Sequence, residues 1–225
     1  MNELSTNQLF DLSHTIASAL LEKAVYPWET IPKISEFTLE LTKLLQDGEY
    51  YSTEEGIRIA KSATVAPSAV IRPPCIIGKG AEIRHSAFIR GGVIIGNNAV
   101  VGNSCEVKNS ILFDMVQIPH FNYVGDSILG YGTHLGAGAV TSNVKSDKSF
   151  IFIKAGGKEI ETGLKKLGAI IGDRTEIGCN SVLNPGTVIG KSCTVYPLSS
   201  VRGFIKENSI YKNSSLIVKK EEKGV

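Results

Sequence analysis

The chain has 225 residues, of which 20% are charged, and its formal net charge of +2 does not indicate a nucleic acid or an anionic membrane as its partner. It contains no apolar run near the roughly 20 residues that a membrane span needs, and its start, Met1-Asn2-Glu3, lacks the pattern of a signal peptide. We therefore expect a soluble cytoplasmic protein of one or two domains.

Residues 1–60 are predicted to be helical. A first helix, with Ser5 or Thr6 as its cap, is indicated by apolar residues at helical spacing: Leu9, Phe10, Leu12, Ile16, Leu20 and Leu21. A second helix is predicted over about residues 32–46, with Gly48 beyond its end. We expect this segment to cap the open end of the repeats that follow, whose first strand would otherwise expose a sheet edge. Docking of a partner protein is the alternative.

A six-residue repeat dominates residues 61–210. Large aliphatic residues recur at every sixth position: Val65, Ile71, Ile77, Ile83, Ile89, Ile95, Val101 and Val107, then Ile171, Ile177, Leu183, Ile189, Val195 and Val201. A mostly small residue stands two positions before each. This period differs from the 3.6 residues of a helix and the two of a strand. It is typical of a parallel β-helix, in which successive rungs stack about 4.8 Å apart. A β-sandwich is the alternative.

The cysteines and histidines do not indicate a metal site. Cys75, Cys105 and Cys193 occupy the small, inward-facing position of the repeat, so we expect them to be buried. The sequence has no CxxC pair and no close histidine pair, and no metal ligand is predicted.

The repeat is interrupted in three places. After Val107, Ile118 follows one residue earlier than two hexapeptides would place it, and Leu129 follows Val124 one residue early. Residues 144–165 form an insert that is predicted to be a β-hairpin protruding from one corner, with its turn at Gly156-Gly157. Residues 211–225 are predicted to be a short strand followed by a charged tail.

Arg90 and Lys108 are separated by one turn of three hexapeptides, so they should stack on one corner of adjacent rungs. A phosphate would relieve their repulsion; two solvated cations are the alternative. His120 lies at a register break and outside the inward columns, where it is a candidate base or a structural histidine. Glu106 could orient nearby groups or be a surface charge.

Residues 90–108, 120–126 and 136–138, together with Asn143, resemble the carboxy-terminal acetyltransferase domain of the bifunctional UDP-N-acetylglucosamine pyrophosphorylase/glucosamine-1-phosphate N-acetyltransferases. The resemblance covers about residues 65–203. It implies a mainly β protein with a left-handed parallel β-helix, and a homotrimer whose acyl-donor groove lies between neighbouring prisms. It also implies acetyl transfer from acetyl-CoA to the amine of a hexosamine 1-phosphate, without a metal.

The resemblance assigns a role to each matching residue. His120 would be the general base, and the backbone of Ala137 would donate to the thioester oxygen as it becomes an oxyanion. The acceptor would be held by Arg90 and Lys108 on the phosphate, Tyr123 on the sugar or phosphate, and Glu106 and Asn143 on the amine and nearby hydroxyls. Lys166 matches a lysine that reaches across the subunit boundary to the donor.

The sequence also departs from that family. His134 replaces an asparagine that touches the sugar, while Cys179 and Pro197 replace a serine and an alanine of the acetyl-CoA groove. The insert is expected beside the acyl-donor side. No nucleotidyltransferase domain is found, so uridylyl transfer is not expected. Two alternatives stay open. One is N-acyl transfer to a nucleotide-linked amino sugar, and the other is a non-catalytic, sugar-nucleotide-binding regulator or scaffold of a separate nucleotidyltransferase.

Overall fold

The computed structural model describes residues 2–221, and three stacked sheets form the walls of a parallel β-helix. Sheet A consists of Tyr50–Tyr51, Ile57–Ala60, Cys75–Ile77, Val93–Ile95, Ser110–Leu112, Ile128–Leu129, Ala169–Ile171, Thr187–Ile189 and Phe204–Ile205. Sheet B consists of Thr64–Val65, Glu82–Ile83, Val100–Asn103, Gln117–His120, His134–Leu135, Glu176–Ile177, Thr194–Val195, Ser209–Asn213 and Leu216–Lys219. Sheet C consists of Val70–Ile71, Phe88–Ile89, Glu106–Lys108, Tyr123–Gly125, Val140–Thr141, Val182–Leu183 and Ser200–Val201.

The repeat residues have the places that their period predicts. The aliphatic positions from Ile77 to Val201 point inward and are buried, and the register pairs each with its counterpart in the next rung, as in Ile71 with Ile89. Cys75, Cys105 and Cys193 are buried as predicted, and burial raises the pKa of the Cys75 thiol to about 12. The parallel β-helix is therefore confirmed, whereas its left-handed winding rests on the resemblance.

The register shortens in the turns that lead from sheet C to sheet A. Ile89 pairs with Val107, a full turn of three hexapeptides later. Val107 pairs with Val124, however, and Ile95 with Leu112, and each of these steps is one residue short of a full turn. The missing residue lies between Val107 and Leu112, because Leu112 is the next core position and comes one residue early.

His120 itself remains in register with Asn103. The prediction that His120 lies at the break is therefore wrong, because the chain has already absorbed the missing residue before it enters the strand that carries this histidine.

The amino-terminal segment is helical, but it is divided. Its 3₁₀ helices are Asn2–Leu4, Leu12–His14 and Pro27–Lys33, and its α-helices are Thr6–Leu9, Ser18–Leu21 and Ile34–Leu44. The second predicted helix is confirmed as Ile34–Leu44, whereas the single first helix is wrong. Phe10 and Thr15 are extended, and the backbone at Asp11 and His14 bonds to the β-helix instead of continuing a helix. Ser5 makes no side-chain capping bond.

This segment covers mainly the outer face of sheet A, which differs from the predicted cap. The predicted edge itself is covered by Tyr50–Tyr51, which pairs antiparallel with the first strand of the β-helix, Ile57–Ala60. The central residues of the sheet A strands point outward and are nevertheless buried: Ile76, Ile94, Ile111, Ile128, Ile170 and Val188. Phe10 packs on Phe113 with ring centroids 5.1 Å apart. Glu3 Oε1 lies 2.8 Å from Nζ of Lys206, which directly follows the last strand of sheet A, Phe204–Ile205. Outward apolar residues of a sheet are buried only where another layer of the protein covers them, and for sheet A that layer is the amino-terminal segment.

Asp173 fastens this segment to the β-helix. Its buried carboxylate accepts hydrogen bonds from the backbone N–H of Asp11 at 2.8 Å and of Tyr131 at 2.9 Å. Burial raises the pKa of this carboxyl above its ordinary value of 3.8, and the hydrogen bonds and Lys191 oppose that shift.

Because the folded state then binds this proton more tightly than the unfolded state, the stabilisation is present below the unfolded pKa and lost as the pH rises through the folded pKa. We expect the wild type to gain stability over Asp173→Asn as the pH falls from about 7 to about 4. Urea unfolding at both pH values measures this difference, and an unchanged difference would contradict the assignment.

The insert and the carboxy terminus both contain hairpins. Phe152–Ala155 pairs antiparallel with Lys158–Glu161, which confirms the inserted hairpin. It does not simply protrude, because Ile151 and Ile153 are buried against the β-helix. Leu216–Lys219 is the predicted carboxy-terminal strand, and it folds back antiparallel on the preceding strand Ser209–Asn213.

Residues 222–225 of the predicted tail lie outside the described residues. Within residues 2–221, no helix has the length and apolarity to cross a bilayer.

Candidate active site

One column of candidate residues runs along the turns from sheet B to sheet C, which we name the BC edge. His120 pairs in register with Asn103, and the N–H of Gly138 donates to the carbonyl of His120 at 3.0 Å. The same spacing stacks the next rungs in the order His120, Ala137, Cys179 and Pro197. The chain therefore places the candidate base and three candidate acyl-donor residues in successive rungs.

His120 is exposed at the end of its strand, and its imidazole has no hydrogen-bond or ion-pair partner among residues 2–221. Its backbone, however, is held firmly. Asn122 is buried, accepts from the N–H of His120 at 3.1 Å, and donates to the carbonyls of Gly136 at 2.8 Å and Ala139 at 3.0 Å. Asn122 thus ties the turn that carries His120 to the turn that carries Ala137.

The backbone N–H of Ala137 donates to no group in the described part of the chain, although its carbonyl accepts from the N–H of Asn180 at 2.8 Å. A Cβ added at the neighbouring Gly136 would lie 2.7 Å from the backbone nitrogen of Cys179, so this turn requires glycine to pack on the next rung. A free N–H one rung above His120 is suited to bind a developing oxyanion.

A second group lies along the turns from sheet C to sheet A, which we name the CA edge. Arg90 and Lys108 occupy adjacent rungs, which confirms their predicted stacking. Each cation already has a carboxylate: Arg90 Nη1 lies 2.7 Å from Glu106 Oε1, and Lys108 Nζ lies 3.5 Å from Asp126 Oδ2. Arg72, one rung below Arg90, extends the column of cations and was not predicted.

Asp126 is the centre of this group, and sequence reasoning assigned it no role. Its buried carboxylate accepts from the amide of Asn109 at 2.8 Å and from the amide of Asn143, and it pairs with Lys108. The signal for it was its place one shortened turn after Asn109, directly beyond a sheet C strand. Asp126 therefore fixes two predicted site residues, Lys108 and Asn143, relative to each other.

The outer face of sheet C lies between the two edges, and Glu106 and Tyr123 pair there in register. Burial raises the pKa of the Tyr123 phenol, and Asp126 and Glu106 add to the effect while Arg90 opposes it. The phenol therefore stays protonated near neutral pH and can donate a hydrogen bond. At the rungs of Glu106 and Tyr123, sheet C thus presents polar side chains between a histidine at one edge and cations at the other.

Two predicted residues lie apart from these groups. His134 belongs to sheet B, where its Nδ1 lies 2.8 Å from Glu176 Oε2. Lys166 is exposed at the base of the insert, on the CA edge, whereas the other acyl-donor residues lie on the BC edge. Within one chain, the insert therefore lies on the opposite edge of sheet C from Ala137, Cys179 and Pro197. Leu167, next to Lys166, donates its N–H to the carbonyl of Asn143 at 3.0 Å.

Known proteins are similar to this chain over about half of its length. Residues 71–162 match the family of the GMPPB C-terminal domain. The "Bifunctional protein GlmU" of Methanococcus maripaludis is 34% identical over 113 residues, 50% of this chain and 27% of the relative. The "Bifunctional sugar-1-phosphate nucleotidylyltransferase/acetyltransferase" of Sulfurisphaera tokodaii is 33% identical over 103 residues, 46% of this chain and 26% of the relative. The chain thus spans about a quarter of the length of these relatives.

Among solved structures, the acetyltransferase domain of PglB from Neisseria gonorrhoeae, in complex with acetyl coenzyme A, is 17% identical with a TM-score of 0.38, covering 73% of this chain and 57% of that chain. A perosamine N-acetyltransferase mutant from Caulobacter crescentus, in complex with CoA and GDP-perosamine, is 19% identical with a TM-score of 0.33, covering 74% and 57%. The resemblance to the carboxy-terminal domain of the bifunctional enzymes is confirmed over about half of the chain.

Proposed function

We propose that this chain, a β-helix similar to the carboxy-terminal domains of sugar-1-phosphate nucleotidyltransferase/acetyltransferases, transfers an acetyl group from acetyl-CoA to the amine of a hexosamine that carries an anomeric phosphate. The observation that supports it most is the column of the BC edge, where an exposed imidazole and a free backbone N–H occupy adjacent rungs. Arg90 and Lys108, the cations of the CA edge, lie at the opposite ends of the sheet C strands from this column. We expect a homotrimer in which a neighbouring prism completes the donor groove.

In the proposed reaction, the amine nitrogen of the sugar attacks the carbonyl carbon of the thioester. His120 removes the proton from that nitrogen as the new C–N bond forms, because a neutral imidazole is a suitable base near pH 7. The N–H of Ala137 donates to the carbonyl oxygen while it carries negative charge. The C–S bond then breaks, and coenzyme A leaves as a thiolate that needs no strong acid.

The acceptor would lie across sheet C with its phosphate at the CA edge. Arg90 and Lys108 are paired with Glu106 and Asp126, so they are held in place before a phosphate arrives. A phosphate would have to compete with Glu106 for Arg90, which frees that carboxylate to accept from the amine or a hydroxyl. Charge-assisted hydrogen bonds of this kind fix orientation as well as affinity.

A coenzyme A release assay with glucosamine 1-phosphate tests the proposal, with free thiol as the readout. We expect thiol release that needs both the protein and the amino sugar, and N-acetylated product in equal amount. Calorimetry with acetyl-CoA separates the alternatives. No release together with no binding at millimolar donor would overturn the proposal in favour of a scaffold without catalysis.

Arg90→Ala should raise the Michaelis constant for a phosphorylated acceptor by about 10- to 100-fold, with a smaller change in turnover, because it removes a charge-assisted contact to the phosphate. Arg84→Ala is the matched control, since Arg84 is also a partly exposed arginine at a strand end, paired with Glu82 at 2.9 Å. An equal effect of both variants, or none for Arg90→Ala, would argue against a phosphate at the CA edge.

A further inference from the structure

The insert begins and ends beside the phosphate end of the proposed site. It leaves the β-helix after Asn143 and rejoins it at Leu167, and the N–H of Gly168 donates to the carbonyl of Asp126 at 2.8 Å. Two rungs separate Lys108 from the base of the insert, which is roughly 10 Å along the axis. The base of the insert therefore lies on the CA edge, the same edge that carries the cations, and not on the BC edge that carries His120.

The exposed surface of the insert is aromatic and basic. Phe150 and Phe152 are 42% and 40% exposed and alternate with the buried Ile151 and Ile153, so the two rings lie on the outward side of one extended segment. Lys165 Nζ lies 5.5 Å from the centroid of the Phe150 ring. We name Phe150 and Phe152 the aromatic platform.

Lysines surround this platform. Residues 144–166 contain six lysines and three acidic residues, so the insert is the more basic part of a chain whose net charge is only +2. Lys145 Nζ donates to Ser149 Oγ at 2.6 Å and to the carbonyl of Phe150 at 3.5 Å, next to the platform. Exposed rings flanked by cations are the combination that proteins use to bind bases linked to phosphates.

We infer that the acceptor is a nucleotide-linked amino sugar and that the aromatic platform binds its base. This inference rests on the proposed function, because it extends the same acceptor. Along the surface the order would be the amine at His120, the sugar over sheet C, the phosphates at Arg90 and Lys108, and the base on the platform. A free sugar 1-phosphate ends at the CA edge and leaves the platform unused. The segment that carries Phe152 packs beside Gly186, one rung beyond the base of the insert and three rungs from Lys108. The ribose and base of a nucleoside diphosphate would therefore extend along the axis over roughly 14 Å from Lys108 to the platform.

The first experiment measures binding and needs no catalysis. UDP, GDP, CDP and dTDP are each compared with inorganic pyrophosphate, which has the phosphates but no base, by calorimetry on the full-length chain. We expect at least one nucleoside diphosphate to bind about 10-fold or more tightly than pyrophosphate. The double variant Phe150→Ala/Phe152→Ala should lose that advantage and bind pyrophosphate unchanged, because stacking is the contribution removed.

Tyr51→Ala is the matched control, since Tyr51 is also an aromatic residue about 40% exposed but lies at the first strand of sheet A. It should leave the preference for the nucleotide intact. If no nucleoside diphosphate binds more tightly than pyrophosphate, the inference is overturned. The same holds if the double variant dissociates an oligomer in size-exclusion chromatography while the preference persists, because the platform then packs against a second copy.

The second experiment measures coenzyme A release with glucosamine 1-phosphate and with UDP-glucosamine and GDP-glucosamine. We expect kcat/KM to be about 10-fold or more higher for one nucleotide-linked acceptor, and the double variant to reduce that ratio toward one. Release with equal efficiency from all acceptors would overturn the inference and leave the proposed function standing. No release from any acceptor, with tight nucleotide binding that depends on the platform, would overturn the proposed function and retain the nucleotide site.

Discussion

His120→Ala is expected to lower turnover by about 10²- to 10⁴-fold, the usual contribution of a general base. The imidazole is exposed and its position is set through the backbone by Asn122, so removing it should leave the turn intact. The loss should appear in turnover more than in the Michaelis constants, because proton removal occurs only as the new bond forms. Steady-state coenzyme A release and far-ultraviolet circular dichroism measure activity and folding.

His85→Ala is a matched control within the same column. His85 lies two rungs below His120 on the BC edge, where its ring is hydrogen-bonded to Ser68 at 2.7 Å. It should retain nearly full turnover. Wild-type turnover in His120→Ala would remove His120 from the mechanism, and an equal loss in His85→Ala would point to a structural effect.

Phe113→Ala is expected to lower the free energy of unfolding by about 3–5 kcal/mol, the usual cost of truncating a fully buried phenylalanine. Phe113 is completely buried and packs on Phe10 of the amino-terminal segment. A double variant with Phe10→Ala should lose less than the sum of the two single variants, because the pair interaction can be lost only once. Urea unfolding measures all three values.

The single tryptophan makes this test more specific. Trp28 is buried in the amino-terminal segment, so its emission reports on that segment while circular dichroism reports on the sheets. Phe88→Ala is the control, since Phe88 is 38% exposed and should cost well under about 1 kcal/mol. A Phe113→Ala variant as stable as the wild type would contradict the docking of the segment on sheet A.

The repetitive part of the structure could be predicted from the sequence because each rung obeys one local rule. A large residue at every sixth position, as at Ile77 and Ile83, is typical of a chain that turns three times per rung. The same rule predicted that Arg90 and Lys108 lie in adjacent rungs, because positions one turn apart stack on each other. The turn at Gly156-Gly157 likewise predicted the hairpin of the insert.

The remaining features depend on contacts between distant parts of the chain. The amino-terminal segment lies on sheet A because the outward residue of every third hexapeptide is apolar, as at Ile94 and Ile111, a second period that the inward columns obscured. Asp126 could not be identified from its type, because its role depends on Asn143 and Lys108 converging on it. The direction of the insert depends on the burial of Ile151 and Ile153.

The docking of the amino-terminal segment has a consequence for the order in which the protein can fold. Each rung needs only the neighbouring rung one turn away in the sequence, so the β-helix can grow as the chain leaves the ribosome. The amino-terminal segment is synthesised first, yet Asp11 bonds to Asp173, 162 residues later, and Glu3 pairs with Lys206. Its final contacts must therefore await most of synthesis, and until then the apolar column of sheet A is exposed to other chains.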